Sequence, residues 1–111
     1  MRSLNDFRFI PVVTVRTLED AVPTVSALRD GGLPVAEITF RTACAEDAIR
    51  AVRRELPDVC AGAGTVIDAE QCVRALDAGA AFIVSPGLSE DVAHVCRERG
   101  VPYVPGCVTP T

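Results

Sequence analysis

The stretch Val35-Ala36-Glu37-Ile38-Thr39-Phe40-Arg41-Thr42 puts a carboxylate, a hydroxyl and a guanidinium at every second position. Side chains alternate across a strand, so Glu37, Thr39 and Arg41 would share one face and Ala36, Ile38 and Phe40 the other. A half-solvated antiparallel strand would account for such a polar side. The flanking sequence argues otherwise, because helical patterns sit on both sides and further strands repeat at regular intervals. In a parallel sheet covered by helices a strand is apolar on both faces. Polar groups facing a protected interior cost free energy unless they are paired or used. Arg41 offers a planar fork suited to a carboxylate. This is the pattern of an active-site strand.

In parallel α/β folds the working residues lie at the C-terminal ends of strands and in the loops that follow. Those positions hold Arg16-Thr17, Arg41-Thr42, Gly62-Ala63-Gly64-Thr65, Ser85-Pro86-Gly87 and Pro105-Gly106. Thr65 adds a hydroxyl, and the small residues keep a pocket open. Gly62-x-Gly64 lacks the third glycine of a dinucleotide fingerprint and the Gly-Lys-Ser/Thr of a P-loop. It reads either as a tight turn or as a substrate contact. The only histidine, His94, has Glu90, Asp91, Arg97 and Glu98 at helical spacing and is expected on a solvated face. Tyr103 is expected to serve packing.

The elements that must position these groups follow a regular alternation. Ile10 to Val15 reads as a first strand, rich in β-branched residues. Thr17, with Asp20 three residues on, predicts a helix N-cap, and helical spacing of apolar residues continues to Leu28 despite Pro23. Gly31-Gly32 stop that helix. The Val35–Phe40 strand precedes a helix from about Ala43 to Leu56, closed by Pro57. Val59 to Ala61 is a third strand. Asp68 with Gln71 opens a third helix that Gly79 ends, and Ala81 to Val84 is a fourth strand. Ser89 caps a fourth helix ending at Gly100, and Val101 to Val104 begins a fifth strand. Strand starts recur at intervals of 25, 24, 22 and 20 residues. One βα unit is repeating, which predicts a parallel sheet with right-handed crossovers.

A 111-residue chain suffices for one modest domain, and 49% hydrophobic against 23% charged residues suits an aliphatic α/β core. A net charge of -4 without a basic cluster argues against nucleic acid. No apolar run approaches a membrane span, and the first eight residues hold no apolar segment of a signal peptide. The five cysteines are widely spaced with no Cys-x-x-Cys pair, so neither a metal site nor a disulfide framework is expected. They read as small buried hydrophobes in a reducing cytoplasm. All 11 basic residues are arginine. Two architectures remain open: a five-stranded doubly wound sheet, or the first part of a (β/α)8 barrel, single-domain and incomplete over residues 1–111. The fifth strand with no helix after it favours the barrel.

Taken together, Pro11-Val12-Val13, Glu37-Ile38-Thr39-Phe40-Arg41-Thr42, Gly62-Ala63-Gly64-Thr65-Val66, Ser85-Pro86-Gly87 and Pro105-Gly106-Cys107-Val108-Thr109-Pro110-Thr111 resemble the 2-keto-3-deoxy-6-phosphogluconate (KDPG) and 4-hydroxy-2-oxoglutarate (KHG) aldolases. The resemblance implies a (β/α)8 barrel, usually trimeric and cytoplasmic. It also implies a class I aldolase that forms a lysine Schiff base with pyruvate and needs no metal or other cofactor. By matching motif, Glu37 is expected as the general acid/base and Arg41 as the clamp on the pyruvyl carboxylate. Thr65 is expected as a neighbouring substrate contact, and Pro86 as a pocket residue near the scissile bond. The departure is the lysine, which in the family lies on the strand after the last residue here. The expected partner is a small keto acid, with neither nucleic acid nor membrane. Two other readings stay open: a non-catalytic half-barrel that binds or assembles, and a stand-alone doubly wound domain.

Overall fold

A computed structural model describes residues 9–106. Within them, β1 (Val12–Val13), β2 (Val35–Thr39), β3 (Cys60–Gly64), β4 (Ile83–Ser85) and β5 (Tyr103–Pro105) form one sheet in sequential order. Every neighbouring pair is parallel. The connections carry α1 (Ala21–Asp30), α2 (Ala45–Glu55), α3 (Ala69–Asp77) and α4 (Glu90–Arg99). A doubly wound sheet reverses its strand order at a switch point. This one never does, so that alternative is set aside in favour of a singly wound, barrel-like arc.

All four helices lie on the same side of the sheet. Val13, Ala36, Ile38, Ala61, Ala63 and Ile83 pack with Val25, Ile49, Val52, Leu76 and Val92 from the helices. Val35, Cys60 and Phe82 form a second cluster that holds no helical residue. Strand alternation puts Glu37 on this helix-free face with Val35. Val12, the register partner of Glu37, is exposed there, as is Val104 on β5. The sheet therefore has one packed face and one face that keeps a carboxyl among partly uncovered aliphatics.

Local chemistry explains most boundaries. Asp68 accepts the Gln71 amide at 2.8 Å and Ser89 accepts the Val92 amide at 3.3 Å, two of the three caps that the sequence predicts. Gly100 closes α4 in the left-handed region at φ 67°. Thr17 departs from expectation. Its hydroxyl donates to Asp20 at 2.9 Å rather than capping, and a 3₁₀ turn at Leu18–Asp20 precedes α1. Pro23 then falls in the first turn of α1, where its missing N–H costs nothing.

β1 is shorter than the predicted Ile10–Val15, as befits an edge strand whose Pro11 cannot donate. The predicted positions Cys107 and Thr109-Pro110-Thr111 lie outside the described residues. Cys60, Cys72 and Cys96 are buried as expected, whereas Cys44 is only half-buried. The Cys72 and Cys96 sulfurs are 3.7 Å apart, and burial pushes the Cys72 thiol up to about 12.

The largest correction concerns Gly62-Ala63-Gly64, which is strand and not turn. A Cβ on Gly62 would run into the Phe82 ring, which is fully buried against it. Gly62→Ala is therefore expected to destabilise the chain by about 1–3 kcal/mol through overpacking. A urea melt reads this, and an unchanged midpoint would contradict the packing described.

Candidate active site

The polar stretch of β2 divides at the strand end. Glu37 is half-buried in the middle of β2, and Thr39 is buried at its last position. Arg41 lies beyond the strand and is exposed, with no ion pair among the described residues. The alternation that would align it with Glu37 stops at Thr39. Phe40 N–H still donates to Gly64 O at 2.8 Å, and the backbone turns after it.

Glu37 occupies a space that glycine leaves open. A Cβ on Gly64 would collide with the Glu37 carboxylate, so the carboxyl group leans across β3 at that position. Burial holds its pKa above the ordinary carboxylate range. That is the direction a proton-transferring carboxyl needs to work near neutral pH.

The same shift fixes a pH dependence. The folded chain binds the Glu37 proton more tightly than the unfolded chain does. Stability therefore falls as pH rises from the ordinary glutamate value of 4.5 through the raised one. Glu37→Gln is expected to stabilise the chain at pH 7, with the advantage gone below the ordinary value. Urea midpoints of parent and variant across pH would contradict this if the variant's advantage were no larger at pH 7 than at acid pH.

Thr65, directly after β3, is the one non-glycine with positive φ (57°) among the described residues. A β-branched residue in the left-handed region is strained by about 1–2 kcal/mol. Such strain persists where the surroundings over-determine it, and it concentrates at functional positions. Thr65 is half-buried on the rim, directly after Gly64.

Pro86 is on the same rim, one loop away. Val66, Ile67, Ser85, Pro86, Gly87, Leu88 and Ser89 line a shallow depression of about 210 Å³. Behind it Tyr103 does more than pack. Its hydroxyl lies 2.6 Å from Ser85 Oγ and accepts the Ser89 amide at 3.1 Å. Gly106 completes the support, with N–H to Ser85 O at 2.6 Å and no room for a Cβ beside Pro86.

Arg41, Thr65 and Pro86 thus stand in the loops that follow β2, β3 and β4 at the C-terminal rim, with Glu37 further down β2. Two features of the rim are absent from the sequence reading. One is the Thr14–Thr39 hydroxyl pair at 3.0 Å, which the shared parity with Glu37 could have flagged. The other is the Tyr103 hydroxyl, whose sequence context carries no signal for it. His94 is on the solvated face as expected, 3.2 Å from Glu98. Among the described residues no three His, Cys, Asp or Glu side chains converge as metal ligands. No helix there is long and apolar enough to cross a membrane.

Comparison with known proteins places this geometry. A family profile described as KDPG and KHG aldolase matches residues 1–111. The 2-dehydro-3-deoxy-phosphogluconate aldolase of Treponema pallidum is 49% identical over 109 residues, covering 98% of this chain and 52% of the relative. The KHG/KDPG aldolase of Escherichia coli K12 is 46% identical over 100 residues, or 90% of this chain and 47% of the relative. A crystal structure of KDPG aldolase from Legionella pneumophila holds pyruvate captured as a covalent carbinolamine intermediate. It superposes with a TM-score of 0.85 at 38% identity, covering 90% of this chain and 48% of that one. The chain thus spans about half the length of the relatives it matches.

Proposed function

Because the chain belongs to the KDPG and KHG aldolase family, we propose that it supplies the proton-transfer and carboxylate-binding half of a class I aldolase site. The reaction is cleavage of a 4-hydroxy-2-keto acid: KDPG to pyruvate and glyceraldehyde 3-phosphate, or 4-hydroxy-2-oxoglutarate to pyruvate and glyoxylate. An amine adds to the keto carbon and loses water, leaving an iminium. The bond between C3 and C4 breaks into that iminium while a base takes the C4 hydroxyl proton. Glu37 carries protons in both stages. Arg41 holds the substrate carboxylate, Thr65 orients the keto end, and Pro86 lines the pocket beside the scissile bond.

The observation that carries this reading is the half-buried Glu37 carboxyl, held above its ordinary range in a space cleared by Gly64. The amine is the part this chain does not provide. It contains no lysine, and a guanidinium stays protonated and is no nucleophile. Apart from an α-amino group the chain carries no primary amine, so the amine is assigned to polypeptide outside these residues and the chain by itself binds a keto acid without turnover. Assembly as a homo-oligomer in the cytoplasm belongs to the same reading.

A chimera tests it directly. Residues 1–111 replace the matching half of the Escherichia coli KHG/KDPG aldolase, whose remaining half completes the barrel. Arg41→Lys in that chimera is expected to weaken pyruvate binding by about tenfold, because an ammonium cannot reproduce the bidentate fork. Calorimetry reads the affinity. Equal affinity in the variant would remove Arg41 from the site.

A further inference from the structure

We infer that Thr42 is the positioning residue for the Arg41 guanidinium, acting by taking a hydrogen-bond rung that the β2 backbone gives up. The inference rests on the proposed role of Arg41 as a carboxylate clamp. In a parallel ladder the rungs recur every two residues. Glu37 N–H donates to Pro11 O at 2.9 Å, which makes Val15 O the acceptor that the Arg41 N–H would reach two rungs later. That bond is not made among the described residues.

Two side chains take the carbonyl instead. Thr42 Oγ1 donates to Val15 O at 2.8 Å, and Cys44 Sγ donates to the same oxygen at 3.2 Å. The two side chains also lie within 3.6 Å of each other. A thiol is a weak donor, so the hydroxyl supplies most of the attachment. On the other side Phe40 N–H is fixed to Gly64 O at 2.8 Å.

The consequence is a loop pinned on both flanks of Arg41, to Val15 just beyond β1 and to the end of β3. Its backbone is free of the ladder at Arg41 itself. The Arg41 side chain is exposed and has no ion pair among the described residues, so none of them holds it. The backbone on either side fixes where that side chain starts. An anchored backbone bearing an unpaired fork is arranged to meet a carboxylate without first releasing an internal partner. The Thr42 hydroxyl proton is spent on Val15 O, and the residue acts through Arg41.

The test uses the 111-residue chain, nitrogen-15 labelled, with pyruvate as the probe. Two quantities are followed by NMR: the heteronuclear NOE of the Arg41 amide without ligand, and the pyruvate titration of the Arg41 Nε–Hε signal. Thr42→Val is expected to lower the NOE of the Arg41 amide and to weaken pyruvate binding by about fivefold to tenfold. Thr42→Ser, which keeps the hydroxyl, is expected to stay within about twofold of the parent in affinity. Ile49→Val, a core control in α2 that leaves both bonds to Val15 O in place, should lower the melting temperature and leave both readouts unchanged.

A rigid Arg41 amide and unaltered affinity in Thr42→Val would overturn the inference. So would an Ile49→Val variant that lost affinity in step with its stability. If the parent chain failed to bind pyruvate while Thr42→Val still loosened the Arg41 amide, the clamp reading of Arg41 would fall and the anchoring role would stand.

Discussion

Glu37→Gln in the chimera is expected to lower kcat for KDPG cleavage by about 10²–10⁴-fold, the usual loss when a positioned acid/base is removed. KM should change far less, because glutamine fills the same space above Gly64 and leaves Arg41 untouched. The size of the effect follows from where the carboxyl sits. It is half-buried on the helix-free face, and burial alone raises its pKa. A carboxyl merely solvated at the rim would show neither feature. The pH profile of kcat offers a second reading of the same group. The limb assigned to Glu37 should lie above the ordinary glutamate range and vanish in the variant. Near-parental turnover would remove Glu37 from the mechanism, whatever the structure suggests about its placement.

The opposition between catalysis and stability at this position is also informative. The substitution that removes turnover is the one expected to stabilise the folded chain at neutral pH, because it removes a carboxylate from a partly desolvated place. A residue kept for packing would behave the other way.

Much of this was legible in the residues. Repeating βα units at 20 to 25 residues predicted parallel strands with helical crossovers, and the sheet has that order. The Asp68 and Ser89 caps were readable because a cap is a local bond between residues three apart. Glu37 stood out because a carboxylate in a strand flanked by helices needs a reason to be there.

What the sequence hid was nonlocal. Gly62-Ala63-Gly64 reads as a turn because glycine is poor in strands. It is strand here because Glu37 from β2 and Phe82 just ahead of β4 fill the space where its Cβ atoms would be. No pattern within five residues carries that information. The division of β2 at Thr39 was hidden for a related reason. Strand alternation through Arg41 looked unbroken, and only the Thr42 hydroxyl on Val15 O, 27 residues away, reveals that the ladder stops. Thr17 misled in the other direction, since its cap geometry was plausible locally and lost to a contact with Asp20. Tyr103 gave no sign of its hydroxyl network because its partners, Ser85 and Ser89, lie on another unit.

The central claim is that these 111 residues hold the acid/base and the carboxylate clamp of a Schiff-base aldolase but not its amine. Borohydride reduction in the presence of pyruvate, read by intact and peptide mass spectrometry, tests it most directly. Reduction traps an iminium as a stable secondary amine, which requires a primary amine in the pocket. The chain contains no lysine, so the account predicts that it emerges unlabelled at every side chain. The chimera should gain one pyruvyl mass on a lysine of the Escherichia coli half, and more slowly when Glu37 is glutamine. A pyruvyl label on a side chain of the 111-residue chain, or a chimera that binds pyruvate yet traps none, would contradict the account.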